Sequence, residues 1–239
     1  MTDDTELVKT AEELEQVLED LQEIERFEPP TQFREQARVQ GEDVYASAAE
    51  DPEAYWAEQA RQLDWDSPFT TVLDDSNPPF YTWFADGTLN ASYNCLDRHV
   101  EDGRGDKVAF HWRGEEGEQR DVTYADLLAD TKKLANALVD NGVEKGDVVG
   151  IFLPMIPEVA VAMLACARIG APHNVVFGGF SPESVKERME FSDAKALITV
   201  DGARRKGKMA PVKAQVDEVG MPVQTTFVVR HAGVECPMG

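Results

Sequence analysis

Four short apolar runs dominate the second half of the sequence. They are Val148–Leu153, Asn174–Phe177, Ala196–Val200 and Thr226–Val229, recurring at intervals of roughly 20 to 30 residues, the spacing of strand–helix–strand units. The run Val148-Val-Gly-Ile-Phe-Leu is apolar without alternation, as expected of a strand covered on both faces. Helical signals fill the gaps. Pro157 opens a helix over Glu158–Ile169, and Gly170 ends it. Ser181-Pro182-Glu183 caps a second helix that runs to Phe191, and Val212–Val219 carries a third. The order β-α-β-α-β-α-β predicts an α/β fold built on a parallel sheet with right-handed crossovers. Just upstream, Val108–Arg113 and Gln119–Tyr124 flank the turn Gly114–Gly117 and predict a hairpin. Thr123 then caps a helix whose apolar face is Leu127, Leu128, Leu134, Ala137 and Leu138, closed by Asn141-Gly142.

The chain before the hairpin has a different texture. Leu14, Val17, Leu18 and Leu21 follow helical spacing with glutamates on the other face, and Pro29-Pro30 stops the pattern. Residues 1–30 therefore read as an acidic helical extension. Residues 31–106 are rich in aromatics, Trp56, Trp65, Phe69, Phe80, Trp83 and Phe84 among them, and are interrupted by turn signals such as Asn77-Pro78-Pro79. This predicts an aromatic-rich layer packed on a larger body, with the lining of a ligand groove as the alternative. Within it, Asp51-Pro52-Glu53 predicts a capped helix reaching Leu63. Residues 107–239 carry the sheet. The chain stops ten residues after the strand at Thr226–Val229, where a doubly wound sheet normally continues, so this end reads as an interruption of the domain.

Charge narrows the partners. The 239 residues hold 45 acidic and 23 basic side chains, a formal net charge of −22. Such a surface repels nucleic acid and anionic lipid. The acids are spread along the chain, which suits a salt-rich cytosol where screening relieves self-repulsion, with an ordinary acidic mesophilic protein as the alternative. Three cysteines, Cys95, Cys166 and Cys236, form no disulfide or zinc framework. The N-terminus lacks the basic and apolar regions of a signal peptide. The longest apolar stretch, Val148–Ala171, contains Glu158 and Arg168 and is cut by Pro154 and Pro157, so it is no membrane span. These features place the protein in a reducing cytoplasm.

No phosphate-loop, dinucleotide, nucleophile-elbow or zinc-protease motif is present, and no cluster has metal-ligand spacing. Two features remain. Phe177-Gly178-Gly179-Phe180-Ser181 lies between a strand and a helix. Paired glycines admit a ligand close to the backbone, and the helix start offers free N–H groups. A plain turn between strand and helix is the alternative. The second feature, Arg204-Arg205-Lys206-Gly207-Lys208, puts four basic residues in five positions directly after the third strand. A basic, glycine-bearing loop suits phosphate, with a solvated basic patch as the alternative. Both loops leave the carboxyl end of the sheet, where open α/β sheets bind ligands.

The stretch from Tyr45 to Val229 resembles the N-terminal part of AMP-forming acetyl-CoA synthetases (acetate–CoA ligases) of the adenylate-forming superfamily. Asp51-Pro-Glu-Ala-Tyr-Trp, Gly87-Thr-Leu-Asn-Ala-Ser-Tyr-Asn-Cys-Leu-Asp-Arg-His, Met163-Leu-Ala-Cys-Ala-Arg-Ile-Gly-Ala-Pro-His and Val175-Val-Phe-Gly-Gly-Phe-Ser carry the resemblance. It implies an enzyme family that adenylates acetate with ATP and Mg²⁺, then transfers the acetyl group to CoA. It also implies that Phe177, Gly178 and Gly179 lie beside the CoA nucleotide. Arg205, Lys206, Gly207 and Lys208 align with a loop that contacts the CoA phosphates. Lys208 stands where the family has Arg, which keeps the charge and loses the guanidinium fork. No catalytic or metal-ligating residue of the family falls in this stretch: its ATP phosphate loop, acetate pocket and adenylation lysine have no counterpart in these 239 residues. The resemblance thus implies the N-terminal part of a ligase, inactive alone. A non-catalytic CoA-binding or interaction protein, or one subunit of a split ligase completed by a separate chain, are the other readings.

Overall fold

The computed structural model describes residues 28–205 and 207–238. The amphipathic stretch around Leu14–Leu21 lies outside them. The described chain forms two compact units, one ending at Ala57 and one beginning at Glu58. The first holds α1 (Thr31–Glu35), α2 (Asp43–Glu50) and most of α3 (Pro52–Ala60). Asp51 caps α3 as its sequence predicts: its Oδ1 accepts the Ala54 N–H at 2.9 Å. The helix ends at Ala60 rather than Leu63, because the Ala60 carbonyl is taken by the Leu63 N–H and, at 2.8 Å, by the Trp65 indole.

The second unit opens with a small hairpin, β1 (Leu73–Asn77) and β2 (Phe80–Trp83). Its aromatics split into two sets. Trp65, Phe69 and Phe84 form a cluster with ring centroids 4.7–5.9 Å apart, whereas Phe80 and Tyr81 remain exposed. A helical segment follows, with π-helical turns at Tyr93–Asp97 and Val100–Arg104. The predicted hairpin is β3 (Val108–Arg113) with β4 (Gln119–Thr123). Thr123 caps α4 (Tyr124–Asp140), accepting the Asp126 N–H at 3.1 Å.

Then come β5 (Val148–Leu153), α5 (Pro157–Ile169), β6 (His173–Phe177), α6 (Pro182–Phe191) and β7 (Ala194–Val200). A short antiparallel pair, β8 (Ala203–Arg205) and β9 (Lys208–Ala210), precedes α7 (Val212–Val219) and β10 (Thr225–Val229). The main sheet has the order β10-β7-β5-β6 and is parallel throughout. Consecutive residues of β5 and β7 are buried, so both faces are covered, as the unbroken apolar runs predict. Gly150, at the centre of β5, leaves room for the buried Met189 side chain of α6. No helix among the described residues is long and apolar enough to cross a membrane.

The Asn90–His99 motif ties the helical segment to its surroundings. Asn94 Nδ2 donates to the Asp64 carbonyl at 2.9 Å and its Oδ1 accepts the Asp64 N–H at 2.9 Å. Arg98 donates to the Gln62 carbonyl at 3.0 Å, and Asn90 to the Arg168 carbonyl at 3.0 Å. Asp97, 6% exposed, accepts both terminal nitrogens of Arg168 at 2.7 and 3.0 Å, with Lys132 at 3.5 Å. Burial pushes the Asp97 carboxyl's pKa up, and the hydrogen bonds and charge of Arg168, with Lys132, more than offset it, leaving a value below the ordinary one.

Breaking this pair strands a buried carboxylate. Arg168→Ala is expected to cost about 3 kcal/mol in urea denaturation, the lower end for a broken buried pair because Lys132 remains. The wild-type contribution is present above the unfolded carboxylate pKa of about 4 and is lost as pH falls through the lower folded value. An unchanged midpoint for Arg168→Ala at neutral pH would show that the pair is not stabilising.

Candidate ligand site at the carboxyl ends of the strands

The strand order sets the place. From β5 the chain crosses to β6 on one side, and from β7 it continues to β10 on the other. The carboxyl ends of β5 and β7 therefore flank a topological switch point, where open α/β sheets leave a crevice. A cavity of about 610 Å³ opens there. The loops after β5, β6 and β7 all line it, through Pro154 and Met155, Phe177–Phe180, and Ala203 and Arg204. The wall is mostly apolar. Among the described lining residues, Arg204 and Gln215 supply the polar side chains. A cavity of this size and character fits a small organic ligand with an apolar or aromatic body.

The Phe-Gly-Gly-Phe turn is rigid on one side and open on the other. The Phe180 N–H closes it onto the Phe177 carbonyl at 3.0 Å. Ser181 caps α6, accepting the Ser184 N–H at 3.3 Å. Gly178 sits where a Cβ would come within 3.1 Å of the Leu153 carbonyl oxygen. A side chain there would thus press on the backbone at the end of β5. Phe177 and Phe180 are 63% and 43% exposed, with their rings edge-on at 6.4 Å. The Arg188 guanidinium lies 4.7 Å from the Phe180 ring centroid, a cation–π contact that restrains that ring.

The basic segment is a hairpin rather than the loop that its sequence suggests. Arg204 pairs in register with Met209, and Arg205 with Lys208. Gly207 makes the turn possible with φ +71°. Three-residue strands made largely of charged residues carry no alternation, which is why the pattern hides them. Lys206 lies outside the described residues. Ala203, Arg204 and Ala210 bring the hairpin base into the cavity wall, whereas Gly207 and Lys208 are not among the lining residues. Lys208 is exposed. Arg204 is not free: its Nε meets Glu116 at 2.9 Å.

Asp201 is the residue that sequence reasoning missed. It follows β7 directly and is 2% exposed. Its Oδ1 accepts the N–H groups of Gly202, His231 and Ala232 at 2.7, 2.9 and 2.9 Å. Its Oδ2 accepts those of Gly233 and Val234 at 2.8 and 3.1 Å. One carboxylate thus fastens the start of the basic hairpin to the chain after β10. Burial raises its pKa, and the hydrogen bonds from Ala232, His231, Gly202 and Gly233 more than offset that, so the net shift is downward. An acid directly after a buried strand and before glycine is the one local signal; its partners are about 30 residues away. Among the described residues, no group of three or more His, Cys, Asp or Glu could hold a metal ion.

Residues 96–236 match the AMP-binding enzyme family, and residues 42–95 match the acetyl-coenzyme A synthetase N-terminus. The acetyl-coenzyme A synthetase of Streptomyces avermitilis is 52% identical over 218 residues, which cover 90% of this chain and 33% of that protein. That of Mycobacterium bovis is 51% identical, covering 87% and 33%. That of Burkholderia lata is 52% identical, covering 83% and 31%. The chain spans about a third of the length of these relatives. The acetoacetyl-CoA synthetase from Streptomyces lividans has a similar structure, with TM-score 0.77 at 28% identity over 89% of this chain and 36% of that one.

In Asp201→Asn, an amide NH₂ replaces an acceptor and faces N–H donors. The variant is expected to lose about 1–3 kcal/mol of stability and to exchange the amides of residues 231–234 faster than wild type. In wild type the carboxylate's contribution holds above about pH 4 and fades as pH falls through the depressed folded pKa. Unchanged protection at 231–234 in the variant would remove Asp201 as the fastener.

Proposed function

The chain belongs to the AMP-binding enzyme family, and we propose that it carries the N-terminal third of an AMP-forming acetate–CoA ligase, including part of its CoA site. The observation that supports this most is convergence: the Phe-Gly-Gly-Phe turn and the base of the basic hairpin line one mostly apolar cavity. These are the two segments whose family counterparts meet CoA. In this reading Phe177, Gly178 and Gly179 lie beside the CoA nucleotide. Arg205, Lys206, Gly207 and Lys208 meet its phosphates, Arg205 through a bidentate fork and Lys208 as a point charge. Residues 31–106 form the N-terminal layer and residues 107–239 the first part of the AMP-binding domain.

The complete reaction would join acetate to ATP, release diphosphate, and pass the acetyl group from the adenylate to the CoA thiol with release of AMP. In this reading the cavity residues bind and orient; the described ones include no nucleophile–base pair, and their donor set does not suit Mg²⁺. We therefore assign no step of adenylation to this chain, and place the ATP and Mg²⁺ contacts in the part of the relatives that it does not span. The net charge of −22 supports a cytoplasmic, salt-tolerant enzyme.

Two measurements test the reading. Arg205→Ala is expected to weaken CoA by about 1.5–3 kcal/mol, the worth of one charge-assisted contact, and to weaken dephospho-CoA less. Equal losses would reject the contact of Arg205 with the 3′-phosphate. The purified 239-residue chain is expected to give no acetate-dependent ATP–diphosphate exchange; measurable exchange would contradict the assignment of adenylation elsewhere.

A further inference from the structure

The turn between β3 and β4 reaches the basic hairpin. Glu116 pairs with Arg204 at 2.9 Å, and Glu115 Oε1 accepts the Gly207 N–H at 3.0 Å. These two contacts hold the hairpin at the middle of β8 and at its turn. The acidic turn is itself fixed. The Gly114 N–H donates to the Glu118 carbonyl at 2.8 Å, and the Glu116 N–H to Glu118 Oε2 at 3.0 Å. A side chain at Gly114 would collide with Trp112 and Glu118. Trp112 in turn donates its indole N–H to the Met155 carbonyl at 2.7 Å, and Met155 lines the cavity. A continuous line of contacts therefore runs from the cavity wall, through Trp112 and the acidic turn, to the hairpin.

We propose that Glu115 and Glu116 are positioning residues that brace the β8–β9 hairpin, so that its turn end, which carries the exposed Lys208, is presented to an anionic ligand. Their contacts take Arg204 and the Gly207 N–H and leave the exposed Lys208 out. The hairpin needs such a brace, because its strands are three residues long and a two-stranded ribbon of that length is not stable by itself. The proposal rests on the reading of the hairpin as a CoA-phosphate contact.

Brace and charge have opposite signs, which makes the test decisive. Removing two carboxylates beside an anion site would, by Coulomb's law alone, tighten anion binding. Removing a brace leaves the ligand to order the hairpin, which weakens binding. The experiment compares the 239-residue chain with its Glu115→Ala/Glu116→Ala variant. Amide exchange at Gly207 and calorimetric titration with CoA are both read.

The brace predicts faster Gly207 exchange in the variant and CoA binding weaker by roughly three- to tenfold, the cost of ordering about one or two side chains. Unchanged Gly207 exchange would overturn it. Faster exchange with tighter CoA binding would also overturn it, by making the glutamates competitors of the ligand. If the wild-type chain binds no CoA while its Gly207 amide is protected and the variant's is not, the brace stands and the CoA reading of the hairpin falls.

Discussion

The arrangement of the site depends on the Asp201 carboxylate. A parallel strand ends with free backbone groups, and the chain beyond it must be fixed by something other than the sheet ladder. Here five N–H groups from two separate segments converge on one buried side chain. The ion could not stay buried without them. Because Asp201 stands one residue before Gly202 and the hairpin, the same fastening sets where the basic residues leave the sheet. Gly202 is packed so closely against Ala210 and Val234 that a Cβ there would collide, which leaves the hairpin base little freedom.

Around that point the chain separates scaffolding from recognition. The Asn90–His99 motif, the stretch most specific to the family by resemblance, is used for structure: Asn90, Asn94, Asp97 and Arg98 each hold a backbone group or an ion partner. The groups proposed for recognition are fewer and sit at strand ends. The net charge of −22 makes a concentrated basic hairpin unusual on this surface. Its local field, rather than the global one, would decide anion binding at contact distances, since charges beyond about 8–10 Å are screened at physiological salt.

Local chemistry made much of the fold legible. The unbroken run of β5 announces a strand covered on both faces. Asp51, Thr123 and Ser181 mark helix starts because a short oxygen-bearing side chain can reach the third N–H beyond it, and all three do so. The Phe-Gly-Gly-Phe turn was legible as a turn between strand and helix. What was hidden depends on partners distant in sequence. Asp201 finds its acceptor role through residues 231–234. Arg204 is neutralised by Glu116, nearly ninety positions earlier, so the basic segment is less free than its composition implies. The β8–β9 pairing has no hydrophobic period to reveal it. Phe80 and Tyr81 look like core residues and are exposed, because apolar character alone does not say what covers a ring.

The central claim is that the turn after β6 and the hairpin after β7 serve one CoA nucleotide. The most direct measurement follows backbone amide resonances of the 239-residue chain as CoA is added. The account predicts saturable shifts at Gly178, Gly179, Gly207 and Lys208 with a common dissociation constant, while the amides of α4 stay still. Saturable binding that leaves those four amides unmoved, or moves the turn and the hairpin with different constants, would contradict it.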